Sequence, residues 1–284
     1  MVRIAIILLL SLFITANLHA AQSTITESEG YACMGEDKSR KQTEQASVAD
    51  AKRKAIESAS TYIKSETHVK DFELEKDLVS AYANATVKII QEFEKGWYKD
   101  ATMGDCYRIK IKAEVIPDEK AMEKVAKNTQ SADDPSAPLH VQVWTDKTEY
   151  KNGEKIKVYL KGNKPFYARV LYKDAGGELL QLLPNPYRKD NYFNGGVIYE
   201  IPSGNDKFEL DVTPPFGTEN VIVYAGTTQL GDIDLETQGG VYQIRTRSAD
   251  IGDKTRGVML KEKGAGTSSA SEFFEDKVVV KTEK

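Results

Sequence analysis

Hydrophobic and polar positions along the chain keep two rhythms, and the change falls near residue 117. Before it, "EGYACMG" reads as a short strand. The long stretch "RKQTEQASVADAKRKAIESASTYIKSE" follows, with Ala46, Ala49, Ile56, Ala59 and Ile63 recurring at helical spacing. That is a narrow, alanine-rich stripe able to lie close on a sheet, and Ser39 is placed to cap its start. A second short helix is expected near "EKDLVSAYAN". "TVKIIQEFEKGWY" fits both periods: Val87, Ile89, Phe93 and Trp97 alternate, whereas Ile90, Phe93 and Trp97 fit a helix. "CYRIKIKAEVIP" is unambiguous, with Tyr107, Ile109, Ile111, Ala113 and Val115 on one face and Arg108, Lys110 and Lys112 on the other. The ambiguous segment is therefore read as its partner strand, joined by a turn at "KDATMGD".

After Pro117 the chain begins helical and then becomes rich in Ser, Asp and Pro, which marks residues 118–138 as a linker. From Leu139 short alternating runs separated by turns take over. "LHVQVWT", "KIKVYLK", "PFYARVLYK", "ELLQLLP", "GVIYEI", "KFELDV" and "NVIVYA" read as strands of an antiparallel sandwich. Residues 231–284 form a C-terminal extension in which "VYQIRTR" and "DKVVVKT" are expected strands around a flexible "KGAGTSSASE". The predicted fold class is α+β: a small N-terminal α+β domain over 28–117, then an all-β antiparallel sandwich of immunoglobulin-like or jelly-roll-like type over 139–230.

The first 20 residues place the chain outside the cytoplasm. Arg3 precedes the uncharged run "IAIILLLSLFITA", and small residues follow up to Ala20, the order of a cleavable secretory signal. The run is short for a bilayer span, which needs roughly 20 apolar residues, and no later stretch supports stable membrane insertion. The mature chain is expected in the periplasm, secreted, or peripheral to the outer membrane. Removal of the signal takes away one charged group, Arg3, moving the net charge from −4 to −5 and giving no support for nucleic-acid binding. Cys33 and Cys106 are the only cysteines. In an oxidising compartment one such pair reads as a structural disulfide rather than a metal site or a redox pair. Closing a 73-residue loop is worth about 4 kcal/mol on chain-entropy grounds.

Two resemblances rest on these segments. "EGYACMG", "SVADAKRKAIESA" and "CYRIKIKAEVIP" resemble the N-terminal domain of flagellar assembly protein T and the small outer-membrane lipoproteins typified in Helicobacter. The chain lacks the lipoprotein cysteine, so membrane anchoring does not carry over. "VWTDKTEYKNGEKIKVYL", "ARVLYKDAGGELLQLLPNPYRKDNYF" and "FELDVTPPFGTENVIVYA" resemble a bacterial envelope domain, domain of unknown function 4384 (DUF4384), over roughly residues 140–230. That resemblance implies a fold and brings no catalytic residues; the kinase-like or caspase-like partner domains often joined to it have no counterpart in these patterns.

Candidate chemistry is sparse. His68 and His140 read as surface histidines with no nucleophile motif beside them, Asp133–Asp134 as solvated linker carboxylates, and no glycine loop suits a phosphate. No catalytic residue, metal ligand or cofactor is assigned. The least generic stretch is "LLPNPYRKDNYFNGG". Its ends have a turn explanation, but Tyr187, Arg188, Lys189, Asp190, Tyr192 and Phe193 are not required by those turns. They are the candidate binding residues, since exposed aromatics beside hydrogen-bonding groups suit a protein hot spot or sugar stacking. The competing reading is packing at strand ends. The expectation is a non-enzymatic envelope protein that binds an envelope protein or assembly, with glycan or small-ligand binding through 187–193 as the alternative.

Overall fold

The computed structural model describes residues 21–36, 38–66, 72–122, 133–238, 241–257 and 270–284. Residues 1–20, His68, residues 123–132 of the expected linker and most of "KGAGTSSASE" lie outside them. The fold is α+β with a large curled sheet. The chain begins with β1 (Ala21–Cys33), α1 (Arg40–Glu66), α2 (Phe72–Ala83), β2 (Thr86–Asp100) and β3 (Gly104–Ile116). It continues through β4 (Val141–Thr145), β5 (Glu149–Lys151), β6 (Val158–Gly162), β7 (Phe166–Lys173), β8 (Leu179–Leu183), β9 (Tyr192–Phe193), β10 (Tyr199–Ile201) and β11 (Thr218–Gly226). It closes with β12 (Leu235–Gln238), β13 (Val241–Ile244), α3 (Ser248–Arg256) and β14 (Ser271–Glu283).

Helix α1 opens with a capping box. The Gln42 amide donates to Ser39 Oγ at 3.3 Å, and the Ser39 amide donates to Gln42 Oε1 at 2.8 Å. Its buried stripe is Thr43, Ser47, Ala51, Ala55, Ala59 and Ile63, a strict four-residue repeat. Ala46 and Ala49, expected in that stripe, lie off it, and Ala49 is exposed. The reason lies in β1, which is longer than "EGYACMG" and turns an almost wholly polar face to the helices. Thr24 hydroxyl meets Tyr82 Oη at 2.8 Å, Thr26 meets Ser58 at 3.0 Å, Ser28 Oγ donates to the Ala51 carbonyl at 2.8 Å, and Ser47 Oγ donates to the Gly30 carbonyl at 2.9 Å. Those hydroxyls and Gly30 select the small-residue face of α1. A Cβ on Gly30 would stand 2.2 Å from the Ser47 carbonyl oxygen and 2.3 Å from the Ala51 nitrogen.

The segment 86–100 is a strand, paired with β3 as expected from the alternation. Cys33 and Cys106 are cross-strand partners in β1 and β3, and they form the disulfide. The bond lies on the face turned away from α1, in line with Arg108 and Lys110.

Among the described residues, the main sheet runs β12-β13-β8-β7-β11-β14-β1-β3-β2, with β5 and β9 attached to β14 and β7. A three-stranded sheet, β10-β6-β4, packs on its inner face to make the sandwich. Leu139, Val141, Val158, Leu160, Phe166, Val170, Val223, Phe274 and Val280 fill that core. "KFELDV" is not a strand: it makes one isolated bridge, Lys155 to Asp211. Phe208, Leu210 and Val212 still alternate into the core, held by Ile156 N to Leu210 O and Val212 N to Glu154 O, both at 2.9 Å.

Strand β14, from the C-terminal extension, is central. It pairs antiparallel with β11 over Phe273–Lys281 and with β1 over Ser271–Glu275. The α1-bearing strands and the sandwich are thus one continuous sheet. Helix α3, absent from the expected elements, covers the outer face at the joint, where Ile251 packs with Ile25, Leu171, Leu179, Tyr224 and Phe273.

Two measurements test this packing. Gly30→Ala should destabilise the protein by about 3 kcal/mol in urea unfolding, because the helix and strand backbones must separate to admit one methyl. Mass spectrometry without reduction should show Cys33 linked to Cys106, and reduction should cost about 2–5 kcal/mol; two alkylatable thiols in the native protein would contradict the pairing.

Candidate interaction surface

The loop after β8 is built around Asn185, which is buried. Its Oδ1 accepts from the Tyr187 amide at 2.9 Å and the Arg188 amide at 2.7 Å, while Nδ2 donates to the Leu182 carbonyl at 2.7 Å. The Asn185 amide donates in turn to the Arg188 carbonyl at 2.8 Å. One side chain therefore folds the whole turn back on the strand that precedes it. The peptide bond between Leu183 and Pro184 is cis.

Arg188 is half-buried. Its guanidinium donates to Asp206 Oδ2 at 3.1 Å, and that same oxygen accepts from the Ser203 amide at 2.7 Å. The guanidinium also lies 5.7 Å from the Phe193 ring centre. Phe193 is only 1% exposed. It stacks on Phe166 at 5.2 Å and meets Tyr199 edge-on at 4.9 Å, so it belongs to the sandwich core. Two of the six candidate binding residues, Arg188 and Phe193, thus serve the loop's own structure.

The others face outward. Lys189 and Asp190 are exposed at the tip, and Asp190 Oδ1 accepts from the Tyr192 amide at 3.1 Å. Tyr187 is 54% exposed and Tyr192 44%. Each is steadied by a ring neighbour, Phe208 at 6.4 Å and Tyr167 at 5.1 Å. The next turn adds two apolar side chains that the residue pattern does not single out, Val197 at 44% and Ile198 at 58% exposure. That turn is drawn in tightly: a Cβ on Gly195 would stand 2.6 Å from the Lys164 Cα, and Gly196 has φ +74°. Val197 and Ile198 read as the start of a strand in "GVIYEI", yet β10 begins only at Tyr199, which leaves both side chains exposed between the turn at Gly195 and Gly196 and the strand.

The titratable groups of the sandwich are held by structural contacts. Burial pushes the Tyr172 phenol well above its ordinary range, and its hydroxyl bonds Glu219. Burial likewise pushes Tyr150 up to about 12; its hydroxyl donates to Asp146 Oδ1 at 2.7 Å and accepts from the Lys147 amide, pinning the β4–β5 turn. His140 is not the surface histidine expected from its alternation. Its ring packs edge-on against Phe274 at 5.0 Å, and burial lowers its pKa. Among the described residues, no group of three or more His, Cys, Asp or Glu side chains is placed to hold a metal ion. No helix among them is long and apolar enough to cross a membrane.

A family model described as a domain of unknown function (DUF4384) matches residues 149–229, from β5 through β11. The aromatic loop lies wholly inside that match. The match includes none of the N-terminal unit, whose resemblance to flagellar assembly protein T and the Helicobacter-type lipoproteins rests on residue patterns alone. No curated protein and no solved structure matches the chain.

His140 gives a pH test. A histidine whose folded pKa lies below its ordinary value of 6.5 is neutral in both states above that value. As pH falls below it, the unfolded chain takes up a proton that the folded one refuses, and stability declines until the folded pKa is reached. His140→Gln should therefore lose less stability than the parent between pH 7 and pH 5 in urea titrations, whatever its effect at pH 7.

Proposed function

We propose that this is a non-enzymatic binding protein, exported to an oxidising compartment, that recognises a protein of the cell envelope through the exposed part of the 187–198 segment. The observation that carries the reading is the concentration of Tyr187, Tyr192, Val197 and Ile198, all exposed, in twelve residues of a loop braced by Asn185, Arg188–Asp206 and the buried Phe193. Apolar groups that a fold leaves in water at fixed positions suit a partner that supplies the missing cover. Tyrosines on a braced loop lose little conformational freedom on binding and are favoured at hot spots. Lys189 and Asp190 at the rim supply charge for orientation without a buried unpaired ion. The Cys33–Cys106 disulfide supports the oxidising address.

A glycan is the second reading. It is favoured by the Tyr167–Tyr192 ring pair lying beside Lys189 and Asp190, the combination that stacks on and hydrogen-bonds a sugar.

A photo-crosslinking residue at position 192 should give a discrete adduct with one envelope protein in the producing cell. The same residue at position 157, beside the three-stranded sheet, should not. Tyr187→Ala with Ile198→Ser should abolish the adduct and shift the Tm by no more than about 2 °C. Equal adducts at both positions would defeat the proposal. Glycan-array binding lost in Tyr192→Ala, without any protein adduct, would assign the surface to sugar instead.

A further inference from the structure

Helix α3 has little reason to be a helix by itself. It has nine residues, Gly252 lies at its centre, and no side chain caps its start. Isolated helices of this length are marginal, and a central glycine costs about 1 kcal/mol relative to alanine. Its order comes from docking, and most of the docking is ionic.

The contacts reach both parts of the sheet. Towards the sandwich, Arg169 of β7 donates to Thr255 Oγ1 at 3.2 Å and to the Gly231 carbonyl at 2.8 Å, and the Gly231 amide donates to the Thr255 carbonyl at 2.8 Å. Towards the α1-bearing strands, the neighbouring Arg256 donates from Nε to Glu114 Oε1 of β3 at 2.5 Å. Its other arm reaches Glu275 Oε2 of β14 at 2.9 Å, and the guanidinium lies 4.3 Å over the Phe273 ring. Lys112 of β3 donates to the Gly257 carbonyl, and Lys88 of β2 pairs with Asp253. A Cβ at Gly252 would fall 2.5 Å from an Arg256 nitrogen, so the glycine that weakens the helix also makes room for its main anchor. Beneath the helix lie Ile25 of β1, Tyr224 of β11 and Phe273 of β14, with Ile251 as the buried apolar contact from above. Here the β1–β14 ladder is only five residue pairs long.

We propose that α3 is an order–disorder latch on the joint. Docked, it ties β7 to β3 through the consecutive residues Thr255 and Arg256 and fixes the two parts of the sheet against each other. Released, it melts, uncovers Ile25, Tyr224 and Phe273, and leaves the short β1–β14 ladder to act as a hinge. The peripheral Lys88–Asp253 and Lys254–Asp234 pairs are exposed and screened by salt, whereas the Arg256–Glu114 pair is buried and is not. Rising ionic strength therefore loosens the latch without cutting its anchor.

Hydrogen exchange read by mass spectrometry on the full, disulfide-bonded protein tests this. Residues 249–257 should exchange through local opening, faster than β11 and β3, and faster in 1 M than in 0.05 M sodium chloride. Arg256→Met combined with Glu114→Gln removes both charges, so neither is left buried alone. It should speed exchange of 249–257 by about tenfold or more while α1 and β6 keep their parental rates. Protection of α3 equal to that of β11 in the parent would overturn the latch. So would equal acceleration of α3, α1 and β6 in the double variant, since that reports a global loss of stability.

Discussion

Residues 273–275 of β14 are paired on both sides, and the shape of the molecule depends on that double ladder. Phe273 lies between Ser23 and Gly226, Phe274 between Gln22 and Ala225, and Glu275 between Ala21 and Tyr224. Because successive side chains in a strand point to opposite faces, the two adjacent phenylalanines enter different cores. Phe274 enters the sandwich interior and Phe273 the layer beneath α3. One short run of backbone hydrogen bonds thus joins β1, from the beginning of the chain, to β11, from its later half. Glu272, just before this run, ties β14 into the sandwich by accepting from the Leu139 amide and from Lys164.

The α1–β1 contact shows a different physical logic. Its affinity comes less from apolar area than from close approach and satisfied hydroxyls. Gly30 brings the two backbones together, and Thr24, Thr26, Ser28 and Ser47 find partners within the interface. Such an interface tolerates little substitution, since an unpaired buried hydroxyl and an added methyl are both costly. The sandwich, by contrast, is packed with branched and aromatic side chains. It can carry a surface loop whose outer side chains stay exposed because Asn185, Arg188 and Phe193 hold its backbone in place.

Much of the secondary structure and four of the six residues of the candidate surface are legible in the order of residues. The alternation in "CYRIKIKAEVIP" marks which face of β3 is buried, and with it the placement of Cys106 opposite the helix side. Tyr187, Lys189, Asp190 and Tyr192 stand out as residues that no turn requires. Val197 and Ile198 do not, because an apolar pair before a tyrosine reads as a strand; only the backbone path at Gly195 and Gly196 leaves them exposed ahead of it. "KFELDV" misleads in the opposite direction. Its alternation into the core is real, but it forms no continuous ladder.

What the amino-acid order determined by itself was local: the periods of α1, β3 and the sandwich strands, the cap at Ser39, and the aromatic content of the 187–193 loop. Each depends on neighbours within a few residues. The tertiary structure decided that the polar stretch over residues 22–28 is part of a largely buried strand and that the extension's last strand lies at the centre of the sheet. It also decided that "SADIGDKTR" is a helix. In each case the residues carry no strong pattern of their own. Hydroxyls become core residues only opposite matching donors and acceptors, and a glycine-bearing run of mixed charge becomes a helix only against Glu114, Glu275 and Arg169. Those partners are distant in sequence, and it is their placement that gives the weak local preferences a single outcome.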